Sequence, residues 1–173
     1  AYKRYFSKFT QGTNQAVSHH MFKWFFENIQ LNYFTLDIDS SVITRYGHQE
    51  GAKKGYNPKK KGRNSHHPII AFVNDIRMVA NFWLRSGNAS SANNFISFLE
   101  DTLSNFGNKT VGLIRLDSGF YQKEILDYLE SKPKKYIVAV RFSCPFQRHV
   151  IQQKSWIPLD EGIEICDSIY QAQ

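Results

Sequence analysis

The spacing of apolar and polar positions changes several times along the chain, and each change marks an element. Over residues 14 to 29, Val17, Met21, Trp24, Phe25 and Ile29 recur at helical spacing and predict a helix with one apolar stripe. In NYFTLDIDS the period drops to two. Phe34, Leu36 and Ile38 then share one face of a strand, and Tyr33, Thr35, Asp37 and Asp39 share the other. PIIAFVNDIRMVANFWLR gives two apolar runs split by Asn74, Asp75 and Arg77, the pattern of an antiparallel hairpin. SSANNFISFLEDTLSNFG predicts a helix capped by Ser90 or Ser91, striped by Ala92, Phe95, Ile96, Leu99, Leu103 and Phe106, and ended by Gly107. VGLIRLD at 111 to 117 is apolar on both faces, as a covered central strand should be, and it ends at Asp117. Ser118 and Gly119 turn the chain into a second helix striped by Ile125, Leu126 and Leu129, and KYIVAVRF at 135 to 142 is a further buried strand.

An early hairpin followed by helix-crossover strands makes an α/β mixed sheet, an antiparallel hairpin plus parallel strands, with helices on both faces. Right-handed crossovers place the strand ending at Asp117 beside the strand that carries Asp37 and Asp39. The organisation reads as a helical lead-in over 1–30, a core over 31–145, and a less regular segment over 146–173 in which IEICDSIY alternates like a half-exposed strand. A chain that starts without Met and stops inside such a pattern reads as a fragment.

Composition narrows the classes. With 173 residues, 42% of them apolar and 14 of them Phe, the chain can bury a real core. No run of about 18 uncharged apolar residues occurs and the first residues lack a signal-peptide pattern, which predicts a soluble, intracellular protein with no membrane partner. Cys144 and Cys166 sit in no CxxC and near no histidine at ligand spacing, so neither a disulfide framework nor a zinc site is expected. The formal net charge of +7 is concentrated. Lys53, Lys54, Lys59, Lys60, Lys61 and Arg63 place six of the 22 basic residues within eleven positions, in a loop of Gly, Asn, Pro and Tyr. Such a loop is either a solvated surface or a surface for a polyanion, with Tyr56 able to stack on a base.

A carboxylate inside an apolar strand needs a metal, a cation or hydrogen-bond donors opposite it. Acids from adjacent strands can hold two divalent cations that activate an attacking oxygen and stabilise a leaving one in a phosphodiester. Magnesium accepts oxygen ligands alone, so aspartates suffice. LDIDSSV also resembles the haloacid dehalogenase-like phosphatases, whose first aspartate is a nucleophile. Their parallel, doubly wound sheet does not suit a hairpin after the first strand. The bland reading, an aspartate capping a turn with Ser40 and Ser41, suits Asp39 alone better than it suits the pair plus Asp117.

LDIDSSVITRYGHQEGAKKGYNPKKKGRNSHHPIIAFV, NFWLRSGNASSANN and IRLDSGFYQKEILDYLE closely resemble the DDE transposases of bacterial insertion sequences, the insertion sequence 1380 family in particular. The resemblance implies a ribonuclease H-like core and a triad of two aspartates and a glutamate that binds magnesium or manganese, two ions in the complete enzyme. It implies double-stranded DNA partners, at inverted-repeat ends and at the target, a possible homodimer in the active assembly, and a place in the bacterial cytoplasm at the nucleoid. Asp117 matches the second acid, and Asp39, directly before Ser40 and Ser41, is preferred as the first, with Asp37 as the alternate. The family's third acid, a glutamate in a Tyr-x-x-Arg-x-x-x-Glu context, has no counterpart in this chain. The expectation is therefore a catalytic-core fragment that retains fold and DNA affinity but transfers strands inefficiently. The alternative is a non-catalytic DNA-binding module of transposon origin. Lys53, Lys54, Lys59, Lys60, Lys61 and Arg63 are expected on DNA phosphates, and Arg85 on either a phosphate or an active-site carboxylate.

Overall fold

A computed structural model describes residues 2–170, which form two compact units divided between Ala139 and Val140. The first unit opens with helices α1 (Tyr2–Phe6) and α2 (Gln11–Glu27). Strands β1 (Phe34–Ser40), β2 (Ile43–Thr44), β3 (Lys53–Lys54), β4 (Asn64–His66), β5 (Ile69–Val73) and β6 (Met78–Trp83) follow. Helix α3 (Phe95–Ser104), β7 (Val111–Leu116), α4 (Lys123–Glu130) and β8 (Lys135–Val138) complete it. Five strands make the main sheet in the order β6-β5-β1-β7-β8. β5 runs antiparallel to both β1 and β6, while β7 is parallel to β1 and β8 to β7. This is the mixed, ribonuclease H-like arrangement expected from the sequence, and the antiparallel β5 removes the parallel phosphatase alternative. Short strands β2, β4 and β3 form a separate small sheet.

The core explains the order. Phe34, Leu36 and Ile38 of β1, Ile69, Ala71 and Val73 of β5, and Ile114 and Leu116 of β7 are all buried, and the strand register puts them on one face. The buried side chains of α2, α3 and α4 join that same cluster. Phe106 stands between Phe26 of α2 and Phe34 of β1, with edge-on ring contacts at 4.6 and 4.8 Å. The helical cover of this unit thus lies on one face of the sheet rather than on both. The opposite face, with Thr35, Asp37 and Asp39, stays partly or fully open.

Between Phe34 and Thr35 the pairing of β1 with β7 shifts by one residue, leaving Gly112 as a bulge. A Cβ there would lie 2.9 Å from the Tyr33 carbonyl oxygen, which explains the glycine.

Several local expectations are corrected. The buried positions of α2 are Phe22 and Phe26, whereas Val17, Met21 and Trp24 are exposed, because only the last turns of the helix reach the sheet. Neither Ser90 nor Ser91 caps α3. Asn94 does so in a left-handed conformation with no side-chain cap, while Ser90 binds Asn93 Oδ1 through its backbone nitrogen and its hydroxyl. β7 has one open position on its second face, Arg115. β8 is a short edge strand with alternating exposure, and Ile137 is open to solvent.

The second unit contains helix α5 (Cys144–Gln152), which the sequence reading missed, and a hairpin of β9 (Ile157–Asp160) and β10 (Ile163–Ile165). Helix α5 buries no residue, so it offers no core stripe to read. The strand expected through IEICDSIY ends at Ile165.

Candidate metal and nucleic-acid site

The alternation in β1 directs Asp37 and Asp39 away from the core, and the register with β7 then separates their roles. The last paired residues are Leu36 with Ile114, Asp37 with Arg115, and Ile38 with Leu116. Asp39 and Asp117 each stand one residue beyond the last of these pairs, Asp39 still within β1 and Asp117 just past the end of β7. The outcome for the two acids of β1 is opposite. Asp37 accepts two hydrogen bonds of 2.6 Å from the Arg115 guanidinium, Nε to Oδ1 and Nη2 to Oδ2. That carboxylate holds the Arg115 pKa above its ordinary value. Asp39 and Asp117 have no cation: the ion pairs among the described residues are Arg115 with Asp37 and Lys123 with Asp127.

Each of the two unpaired acids accepts one backbone hydrogen bond at its strand end. Asp39 Oδ1 accepts from the Ser40 backbone nitrogen at 2.6 Å, and Asp117 Oδ1 accepts from that of Gly119 at 3.0 Å, opening a single 3-10 turn. Ser40 is itself the last residue of β1, so the Asp39 contact belongs to the strand end. The second carboxylate oxygen of each makes no hydrogen bond within the described chain. Carboxylate oxygens left free in this way are the hard donors that magnesium or manganese accepts, with water completing the coordination. No group of three or more His, Cys, Asp or Glu residues is placed to hold a metal among the described residues.

Residues distant in sequence brace these two turns. The Ser40 and Ser91 hydroxyls are 2.7 Å apart, and His67 Nε2 lies 3.1 Å from Ser40 Oγ. His67 Nδ1 is 2.5 Å from the Ala89 carbonyl, which can only accept, so the ring proton sits on Nδ1 and Nε2 accepts from Ser40 when the ring is neutral. Ser91 also abuts the Asp117 turn, since a Cβ on Gly119 would lie 2.7 Å from its hydroxyl. Arg85 contacts neither a carboxylate nor open solvent. It is buried and donates to the carbonyls of His67, Ser91 and Asn93 at 3.0, 3.1 and 2.6 Å, and burial lowers its pKa. Both expectations for Arg85 are thereby corrected: it clamps backbone. The sequence pointed to none of these contacts, because each joins separate segments and HHP, WLRSGN and SSANN have no telling spacing.

The cationic segment is less loop-like than expected. Lys53 and Lys54 form β3 and pair with Ser65 and Asn64 of β4. Lys59, Lys60, Lys61 and Arg63 follow on exposed backbone, and the Arg63 guanidinium lies 5.8 Å from the centre of the Tyr46 ring. Gly55 is pressed onto Gly87, whose carbonyl oxygen would meet a Cβ at 1.8 Å, so no side chain fits. Buried Asn57 donates to Thr44 Oγ1 and accepts from the Lys60 nitrogen, both at 2.9 Å. These contacts hold the segment against the strand ends. A concavity of about 290 Å³ is lined by Asp117, Ser40 and Ser41 on one side and by Tyr56, Pro58 and Lys59 on the other.

The model of the family described as Transposase DDE domain group 1 matches residues 2–162, and the chain belongs to that family. No curated protein matches the sequence. Among solved structures, the piggyBac transposase synaptic complex with hairpin DNA aligns with a TM-score of 0.48 and 13% identity, over 72% of this chain and 27% of that one. The Mos1 transposase paired-end complex with left transposon end aligns at 0.43 and 8%, over 79% and 52%. The Mos1 mariner paired end complex with Mn aligns at 0.44 and 12%, over 79% and 46%. The chain spans between about a quarter and a half of these transposase chains. No helix among the described residues is long and apolar enough to cross a membrane.

Proposed function

We propose that this chain supplies the first two acids and a DNA-phosphate surface of a DDE transposase, with Asp39 and Asp117 as the metal-holding acids and Asp37 as a structural partner of Arg115. The observation that supports this reading is the pairing of Asp37 with the Arg115 guanidinium, which leaves Asp39 and Asp117, each one residue beyond the last β1–β7 pair, without an ion-pair partner among the described residues. A divalent ion, magnesium or manganese, would supply Lewis-acid activation of an attacking oxygen and charge stabilisation of a leaving one at a phosphodiester. The chain's own residues hold and orient it: Ser40 and Gly119 backbone nitrogens fix one oxygen of each carboxylate and leave the other free. Lys53, Lys54, Lys59, Lys60, Lys61 and Arg63 hold duplex phosphates, which positions DNA without reading its sequence. In the whole protein the products would be cut inverted-repeat ends whose 3′-hydroxyls join target DNA, within a homodimer. Insertion sequence 1380 elements are the source that the quoted motifs favour.

The test is titration of manganese into the chain. Asp39→Ala and Asp117→Ala should each abolish binding, and Asp37→Ala should not. Loss with Asp37→Ala and retention with Asp39→Ala would overturn the assignment. The absence of a three-acid cluster among the described residues favours one second reading, a DNA-binding module without catalysis. It predicts salt-dependent DNA binding with no manganese uptake.

A further inference from the structure

The strand-end concavity contains more than a metal site requires. Tyr56 is 74% exposed on a segment that is otherwise fixed, with Gly55 locked against Gly87 and Asn57 buried and bonded on both sides. An aromatic ring presented to water from a rigid support is a ready stacking platform, and among the described residues no ring or cation covers it. Lys59, which lines the same hollow, has no ion-pair partner among the described residues. Across the hollow lie Asp117 and the hydroxyls of Ser40 and Ser41. One cavity thus brings together an aromatic ring, a cation and hydroxyl-bearing residues with Asp117. At about 290 Å³ it sits at the small end of ligand sites and has room for roughly one nucleotide rather than a duplex.

We propose that this hollow is a subsite for one unpaired nucleotide next to the phosphate held at Asp39 and Asp117, its base stacked on Tyr56 and its phosphate on Lys59. The ligand must be unpaired, because a base within a duplex already has both faces covered by its neighbours. The proposal rests on the DNA reading above and narrows it: the six cations hold duplex phosphates without regard to strand state, while Tyr56 selects a nucleotide that has left the stack. The pieces divide the work physically. Stacking is indifferent to salt, whereas the Lys59 contact is not.

Two fluorescein-labelled probes test it with the intact chain: an oligothymidylate single strand of about 12 nucleotides, and a blunt duplex of about 20 base pairs, each titrated over a range of salt. Tyr56→Ala should weaken single-strand binding by roughly 5- to 100-fold with an unchanged salt slope, and Tyr56→Phe should stay within about twofold of the parent chain. Duplex affinity should not respond to Tyr56→Ala. Lys59→Ser should reduce the single-strand salt slope by about 0.7. The subsite is overturned if Tyr56→Ala binds single strands as the parent does, or loses both probes equally. If both probes bind in a salt-dependent way and only the Tyr56 substitution is silent, the subsite alone fails. If neither binds, the DNA reading fails and the subsite fails with it.

Discussion

Two neighbouring rungs of the β1–β7 ladder carry the same kind of residue to opposite ends. At Asp37 and Arg115, acid meets guanidinium across the strands and the charges are matched. Just past the last pair, Asp39 and Asp117 stand at the rim, and among the described residues no cation answers either of them. Both rungs share one face, one strand pair and a similar aqueous setting. The difference is the cross-strand partner, and it makes one rung part of the sheet and the other a place where an external cation is wanted.

Substitutions can break that contrast. The largest effect should come from copying the inner rung onto the outer one. Asp117→Arg places a guanidinium beside Asp39, and manganese binding should vanish in calorimetry while the far-ultraviolet dichroism stays that of the parent. Next comes the other face of the same strand. Leu36→Ala removes a fully buried side chain and should lower stability by about 2–5 kcal/mol in urea denaturation, whereas Asp39→Asn, exposed on the open face, should change it by less than about 0.5 kcal/mol. A smaller change should follow Ser91→Ala, which takes away the hydroxyl between the Asp39 and Asp117 turns. Manganese affinity should fall about tenfold with little change in the urea midpoint, the usual size of an outer-shell effect. The smallest effect is expected for Arg115→Met. Releasing Asp37 adds a carboxylate near the rim, and manganese should bind about threefold tighter. Unchanged affinity there would mean that the inner acid is too far from the ion to matter.

What could be read from the sequence follows from the range of each interaction. The strand face of Asp37 and Asp39 was legible because alternation is local, and β1 buries only one side. The neighbouring position of β7 was legible because crossover handedness leaves few choices. The choice between Asp37 and Asp39 was not settled by the strand face, since the discriminating partner, Arg115, lies 78 residues away. Helix α2 misled because its exposed and buried apolar residues both recur at helical spacing, and only the sheet decides between Trp24 and Phe26. Arg85, His67 and Ser91 were illegible for a related reason. Their bonds join the segment after β4, the end of β6 and the loop before α3, which nothing in the sequence shows to be neighbours.

Gly112 gives the bulge a distant consequence. Were the strands to zip straight from Phe34 and Val111, each later partner would fall one place behind, leaving Asp39 next to Leu116 and Asp117 next to Ser40. A glycine at the entrance therefore acts as a timing mark for chemistry about 17 Å downstream. A bulky replacement at 112 could mistune that rim while every reactive side chain remained present.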